Sequence, residues 1–114
     1  MTSIAHRIAR PSPGRHLALA DGAEVVFVAI DGPVTRVGRS RSDNLFLDDA
    51  TVSRRHALFV RRGDALHVLD DHSLNGVWVN GVRVADAELT DGDDIVLGRV
   101  SLRFVEVRAA EAPA

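Results

Sequence analysis

The sequence predicts an all-β fold, an antiparallel β-sandwich built from short strands. Three observations predict it. Short runs rich in Val, Ile, Leu and Phe recur along the chain, and turn signals separate them every few residues. None of the runs has the length and 3.6-residue period of an amphipathic helix. About ten short strands joined by tight turns bury their apolar faces best as two stacked sheets, whereas a closed barrel fits the uneven strand lengths less well.

Ten runs are predicted as strands. In chain order they are His16–Ala20, Glu24–Ile30, Val34–Val37, Leu45–Leu47, His56–Arg61, Ala65–Asp70, Val77–Val79, Val82–Val84, Asp94–Leu97 and Ser101–Val107. The segments between them pair Gly with Asp, Asn or Arg, as hairpin turns do: Asp21-Gly22, Asp31-Gly32-Pro33, Arg62-Gly63-Asp64, Asn75-Gly76, Asn80-Gly81 and Asp91-Gly92-Asp93. Two runs alternate like half-buried strands. Leu102 and Phe104 share one face of their strand, and Trp78 points away from its two neighbouring valines.

The length of 114 residues fits one domain with one hydrophobic core. We expect that domain to span residues 16–108. The first sixteen residues contain three Arg, two His, two Pro and no acid, without an apolar stretch long enough for a signal peptide. The sequence therefore predicts a flexible N-terminal arm over residues 1–15 and a flexible C-terminal tail over residues 109–114.

Composition excludes several functional classes. The chain has no cysteine, which excludes disulfides, cysteine metal sites and thiol nucleophiles and makes a reducing cytoplasm the expected compartment. No apolar run approaches the ~20 residues of a membrane-spanning helix. A net charge of −2 argues against a domain that binds nucleic acid or an anionic membrane non-specifically. We expect no cofactor and no metal ion.

The basic residues point to a small anionic ligand. All 14 are Arg, and five of them fall in two neighbouring segments: Arg36, Arg39, Arg41, Arg54 and Arg55. The planar guanidinium fork matches the oxygen atoms of a phosphate two at a time. Three predicted loops, 38–44, 51–56 and 71–76, together supply Arg forks, hydroxyls and a side-chain amide. These are the donors that a phosphate and its flanking backbone require.

Three ordered blocks resemble the signature of the forkhead-associated (FHA) domain: Gly38-Arg39-Ser40, then Ser53-Arg54-Arg55-His56, then Ser73-Leu74-Asn75-Gly76 with Val79-Asn80-Gly81. The resemblance extends from about Thr35 to Phe104. It implies a sandwich of about eleven strands that binds a phosphothreonine in an extended partner segment through loops at one end. The implied partner is a protein or peptide phosphorylated by a Ser/Thr protein kinase.

The resemblance also implies a role for each matching residue. Arg39 is expected to contact the phosphate, Ser53 to donate its hydroxyl to a phosphate oxygen, Arg54 to add a phosphate contact and Asn75 to hold the partner backbone. The expected supporting residues are Gly38, where the chain turns into its loop, His56, which ties the loops together, and Ser40, Leu74, Gly76 and Asn80. Leu74 stands where many members have a threonine, which implies one fewer hydrogen bond in the phosphate network. Thr51 stands where some members have an Arg that reads an acidic residue.

Other functional interpretations compete with that of a phosphothreonine-binding domain. A scaffold that binds a protein partner without phosphate is the alternative that the sequence leaves open. Ser53, His56 and Asp70 or Asp71 have the residue types of a hydrolase triad, but the Gly-x-Ser-x-Gly elbow is missing. Direct nucleic-acid binding would need stacking aromatics, whereas Trp78 and the four Phe are all expected in the core.

Two acidic stretches invite a metal-site interpretation. Asp70, Asp71 and His72 are consecutive, so they alternate between faces of a strand, and no second ligand cluster accompanies them. The stretch Asp86–Asp94 lacks the ligand spacing and the terminal Glu of a calcium loop. We interpret both as solvated turns.

Overall fold

Residues 2–3, 11–30 and 32–108 of the chain are described by a computed structural model. They form twelve strands: β1 (Thr2–Ser3), β2 (Gly14–Asp21), β3 (Glu24–Ala29), β4 (Val34–Gly38), β5 (Leu45–Leu47), β6 (Ala57–Arg62), β7 (Ala65–Asp70), β8 (Val77–Val79), β9 (Val82–Val84), β10 (Asp86–Glu88), β11 (Asp94–Leu97) and β12 (Val100–Val107). Within these ranges there is no helix, and so none that is long and apolar enough to cross a membrane.

The strands form two six-stranded sheets, in the orders β1-β5-β4-β6-β7-β10 and β3-β2-β12-β11-β8-β9. Their inner faces enclose one apolar core, to which Leu17, Val37, Phe59, Ile95 and Phe104 belong. The predicted all-β sandwich is thereby confirmed. Pairing between the described strands is antiparallel except for β4 and β5, which run parallel because the loop between them carries the chain sideways without reversing it.

Alternation decides which side chains enter the core. In β12, Leu102 and Phe104 are buried while Arg103 is exposed, as predicted. In β8, Val77 and Val79 point inward and Trp78 points outward. A strand with one buried face is held in this register because a shift of one residue would expose its whole apolar set.

Two strands were absent from the sequence prediction. Thr2–Ser3 pairs with β5, and Asp86–Glu88 pairs with β7. The interpretation of Asp86–Asp94 as a turn is therefore wrong for its first three residues. Asp and Glu have low strand propensity, but Ala87 packs against the core between two outward-facing acids, and pairing with β7 overrides the local preference.

The aromatic side chains were predicted to lie in the core, and this is wrong for some of them. Phe59 and Phe104 are buried, whereas Trp78 is 36% exposed on the outer face of its sheet. Phe46 is half-buried beneath the guanidinium of Arg41, which lies 5.0 Å from the ring centroid. Hydrophobic composition did not reveal which face each ring occupies.

The limits of the domain remain a prediction. Strand β2 begins at Gly14, two residues before the expected domain start at residue 16. Most of the arm and all of the tail that we expect to be flexible, residues 1, 4–10 and 109–114, lie outside the described residues.

Strand direction gathers the loops of interest at one end of the sandwich. Val37 near the end of β4 faces Ala57 at the start of β6, and Ala57 faces Asp70 at the end of β7. In the other sheet, Val77 at the start of β8 faces Leu97 at the end of β11. The loops 39–44, 48–56 and 71–76 and the β11–β12 turn therefore share this end. The turn at Gly63 and the turn at Asn80 lie at the opposite end.

Candidate functional site

The β4–β5 loop begins with a close backbone contact. Gly38 is buried, and a methyl group at its Cα would overlap the carbonyl oxygen of Arg54. Only glycine lets the two loops approach this closely. Next to this contact the backbone N–H of Arg39 donates to Ser53 O at 2.9 Å. The first two sequence blocks are thus joined backbone to backbone.

Arg39 is anchored through one nitrogen of its guanidinium. Its Nε donates to Val52 O at 2.9 Å, so the two terminal amino groups remain as donors for a ligand. The Asp43 carboxylate accepts the backbone N–H of Ser40 at 3.0 Å and shapes the loop. The Ser40 hydroxyl lies 2.8 Å from the Ser42 hydroxyl and forms a hydrogen bond with it within the β4–β5 loop.

Ser53 is poised as a donor. Its Oγ accepts the backbone N–H of Leu74 at 2.9 Å, which places the β7–β8 loop beside it. Because that contact uses a lone pair, the hydroxyl hydrogen is available to an acceptor such as a phosphate oxygen. The Leu74 side chain is 83% exposed next to this hydroxyl and supplies no polar group of its own.

His56 joins two loops from inside the protein. The side chain is completely buried. Its Nδ1 accepts the backbone N–H of Ser53 at 3.0 Å, so the ring hydrogen is on Nε2, which donates to Gly76 O at 2.8 Å. The imidazole therefore holds the second and third sequence blocks together, in the supporting position that the resemblance implied.

Asn75 is oriented by the β5–β6 loop. Its Nδ2 donates to Thr51 O at 2.8 Å, which leaves Oδ1 and the second amide hydrogen for a partner backbone. Its own carbonyl oxygen accepts from Nε1 of Trp78 at 3.0 Å. Sequence reasoning missed the carbonyl groups of Thr51 and Val52, because every residue carries a carbonyl and no side-chain pattern marks these two.

The adjacent Arg54 and Arg55 differ in what their side chains contact. Arg55 forms a two-pronged ion pair with Asp71, at 3.2 and 3.0 Å, and this pair lowers the pKa of the Asp71 carboxyl despite its burial. Arg54 is exposed, and no carboxylate within residues 11–30 and 32–108 pairs with it. Of the two guanidinium groups, that of Arg54 is therefore the one whose positive charge is not neutralised by a carboxylate and is available to an anionic ligand.

Asn80 lies apart from the other predicted residues. It belongs to the β8–β9 turn at the opposite end of the sandwich, with a φ of 50°. Its side chain donates to Asp93 Oδ1 at 2.9 Å and accepts the backbone N–H of Asp94 at 3.0 Å. Asn80 stabilises that hairpin and its contact with β11.

The geometry does not support the alternative chemistries. Both ring nitrogens of His56 are engaged with backbone groups, so neither accepts the Ser53 hydroxyl proton as a triad base would. Asp70 accepts the backbone N–H of Ser73 at 2.8 Å, and Asp71 binds Arg55. Among the residues that are described, no group of three or more His, Asp or Glu could hold a metal ion.

Together these features define a β-sandwich binding domain whose loops present arginine forks, a hydroxyl and an amide to an anionic ligand. The sequence profile described as FHA domain matches residues 35–98. The chain therefore belongs to the FHA family, as its motif order predicts.

Bacterial regulators are among the similar proteins. The chain is 45% identical over 76 residues to the glycogen accumulation regulator GarA of Mycolicibacterium smegmatis, an alignment covering 67% of this chain and 48% of that protein. It is 43% identical over 77 residues to the oxoglutarate dehydrogenase inhibitor of Corynebacterium diphtheriae, covering 68% and 54% respectively. The chain thus spans about half the length of these curated relatives.

A solved structure has a similar fold. Mycobacterium tuberculosis EmbR, in complex with a low-affinity phosphopeptide, superposes with a TM-score of 0.76 at 28% identity. The superposition covers 90% of this chain and 27% of that one. The likeness extends beyond the motif-bearing loops to nearly the whole sandwich.

Proposed function

We propose that Arg39, Ser53 and Arg54 bind the phosphate of a phosphothreonine and that Asn75 binds the partner backbone beside it. The observation that carries the proposal is the hydrogen-bond state of Ser53. Its Oγ already accepts the backbone N–H of Leu74, and the hydroxyl hydrogen remains to be donated to a phosphate oxygen. Arg39 and Arg54 add positive charge on the same loops, and charge-assisted hydrogen bonds contribute about 1.5–3 kcal/mol each.

The partner is a bacterial protein phosphorylated on threonine by a Ser/Thr kinase, and it binds in the cytoplasm. One relative is named a regulator and another an enzyme inhibitor, which supports a regulatory rather than a catalytic role for this chain. We expect no enzymatic activity and no binding to nucleic acid or membranes. Nothing in the arrangement of donors requires a cofactor.

A matched pair of peptides tests the proposal. A phosphothreonine peptide is expected to bind with micromolar affinity, near −8 kcal/mol, and its unphosphorylated twin at least about 100-fold more weakly. Isothermal titration calorimetry measures both. A phosphoserine peptide should bind more weakly than the phosphothreonine peptide, and this comparison tests the preference that the family implies.

Charge provides an internal control for the same titration. Affinity should fall as salt rises, and again between pH ~7.5 and ~5.5, because the phosphate loses its second charge near pH ~6. Equal affinity of the phosphorylated and unphosphorylated peptides would favour the alternative function, a scaffold that binds its partner without phosphate.

The neighbouring arginines provide a second test with a built-in control. Arg54→Ala is expected to weaken phosphopeptide binding about tenfold, because it removes an uncompensated cation from the site. Arg55→Ala should change affinity less than about twofold, because that guanidinium is already bound to Asp71. The reverse order of affinities would contradict the assignment of Arg54.

A further inference from the structure

The β11–β12 turn touches the binding end of the sandwich although it lies outside all three sequence blocks. Gly98 in this turn has a φ of +62°. A methyl group at its Cα would overlap both the carbonyl oxygen and Oγ1 of Thr51. The turn is thus packed directly against the β5–β6 loop, with no room for a side chain between them.

Thr51 is held in place by the turn and by its own loop. Its Oγ1 donates to Asp49 Oδ1 at 2.5 Å, and its backbone N–H donates to the same oxygen at 2.8 Å. The backbone N–H of Arg99 donates to Thr51 Oγ1 at 2.8 Å. The hydroxyl is therefore used as both donor and acceptor, and it ties Asp49 to the β11–β12 turn.

The fixed carbonyl of Thr51 is the acceptor for the Asn75 side chain, at 2.8 Å. An exposed asparagine has two rotatable side-chain bonds, and holding them in one conformation before binding lowers the entropy lost on binding. We propose that Gly98 and Thr51 are positioning residues for Asn75, and that the β11–β12 turn thereby contributes to phosphopeptide affinity. This inference rests on the proposed role of Asn75 in holding the partner backbone.

The chain contains a closely matched control for Gly98. Gly63 has a φ of +61°, and a methyl group there would meet nothing within 4 Å. Alanine at either position carries the same backbone strain, but only at Gly98 does it push against Thr51. We expect Gly98→Ala to weaken phosphopeptide binding about tenfold, the equivalent of one lost hydrogen bond, and Gly63→Ala to change it less than about twofold.

Two further measurements separate positioning from a general loss of structure. In an Asn75→Ala background, Gly98→Ala should have no additional effect on affinity, because the group that it positions is gone. The side-chain amide resonance of Asn75 in the free protein should shift in Gly98→Ala and stay in place in Gly63→Ala. An unchanged resonance, or an undiminished loss of affinity in the Asn75→Ala background, would overturn the inference.

A failure of the proposed function has a different signature. If Asn75→Ala leaves phosphopeptide affinity unchanged, the proposed role of Asn75 is wrong, and so is the contribution of Gly98 to affinity, while a shifted amide resonance still supports positioning. If Gly98→Ala fails to fold, Thr51 provides the test. Thr51→Val removes both hydroxyl hydrogen bonds and should weaken binding several-fold, by loss of about one net hydrogen bond, whereas Thr51→Ser keeps the hydroxyl and should restore affinity. Equal affinity of the two variants would overturn the inference.

Discussion

Replacement of Arg39 by Ala is expected to weaken phosphopeptide binding between about tenfold and 100-fold, while the melting temperature changes little. The affinity loss follows from the removal of charge-assisted hydrogen bonds, which contribute about 1.5–3 kcal/mol. Stability is spared because, among the described residues, the Arg39 side chain gives up only the hydrogen bond from Nε to Val52 O. Calorimetric titration with the phosphothreonine peptide and a thermal melt of the same sample measure both quantities.

Arg39→Lys is the matched control for this variant. Lysine keeps the positive charge but replaces the planar fork by a single ammonium, so an intermediate affinity is expected. A melted Arg39→Ala protein would show that Arg39 serves the fold instead of the ligand. Full affinity in a folded Arg39→Ala protein would remove Arg39 from the proposed site.

Replacement of His56 by Ala is expected to destabilise the domain by about 3–5 kcal/mol, the largest loss of stability that we predict. The variant leaves a cavity where a completely buried ring was, and it strands the backbone N–H of Ser53 and the carbonyl of Gly76 without partners. A loss of this size is a large fraction of the stability of a small domain. Urea denaturation followed by Trp78 fluorescence measures it.

His67→Ala provides a comparison on the outer face of the same protein. His67 is half-buried and contacts Asp86, an exposed carboxylate, at 2.8 Å beside Arg62, so its loss should destabilise the domain much less than the loss of His56. Similar losses for the two variants would mean that His56 contributes no more than an ordinary surface contact. In that case the imidazole would not hold the two loops together, as its hydrogen bonds to Ser53 and Gly76 indicate that it does.

Strands were predicted correctly where apolar residues recur along the segment, and the prediction failed where pairing with a neighbouring strand alone made the segment a strand. All ten predicted runs are strands, because an apolar face recurring every second residue has few other ways to be buried. Strand β10 was missed because Asp86–Glu88 carries one alanine between two acids, which is too little apolar surface to mark a strand locally. Alternation placed Trp78 opposite its two neighbouring valines, but its exposure was missed because a strand with apolar residues on both faces does not show which face is buried.

The amino-acid sequence by itself determined the all-β class and the side chains of the candidate site: Arg39, Ser53, Arg54 and Asn75. The residue types of these side chains, their order and their spacing can be read from the sequence without any coordinates. Only the tertiary structure decided which donors are available and what orients them, as at Ser53 Oγ, at Arg55 and at the carbonyl groups of Thr51 and Val52. Hydrogen bonds between loops that are distant in sequence form only after the folded strands have brought those loops together. Every residue has a backbone carbonyl, so the sequence does not show which carbonyls accept hydrogen bonds.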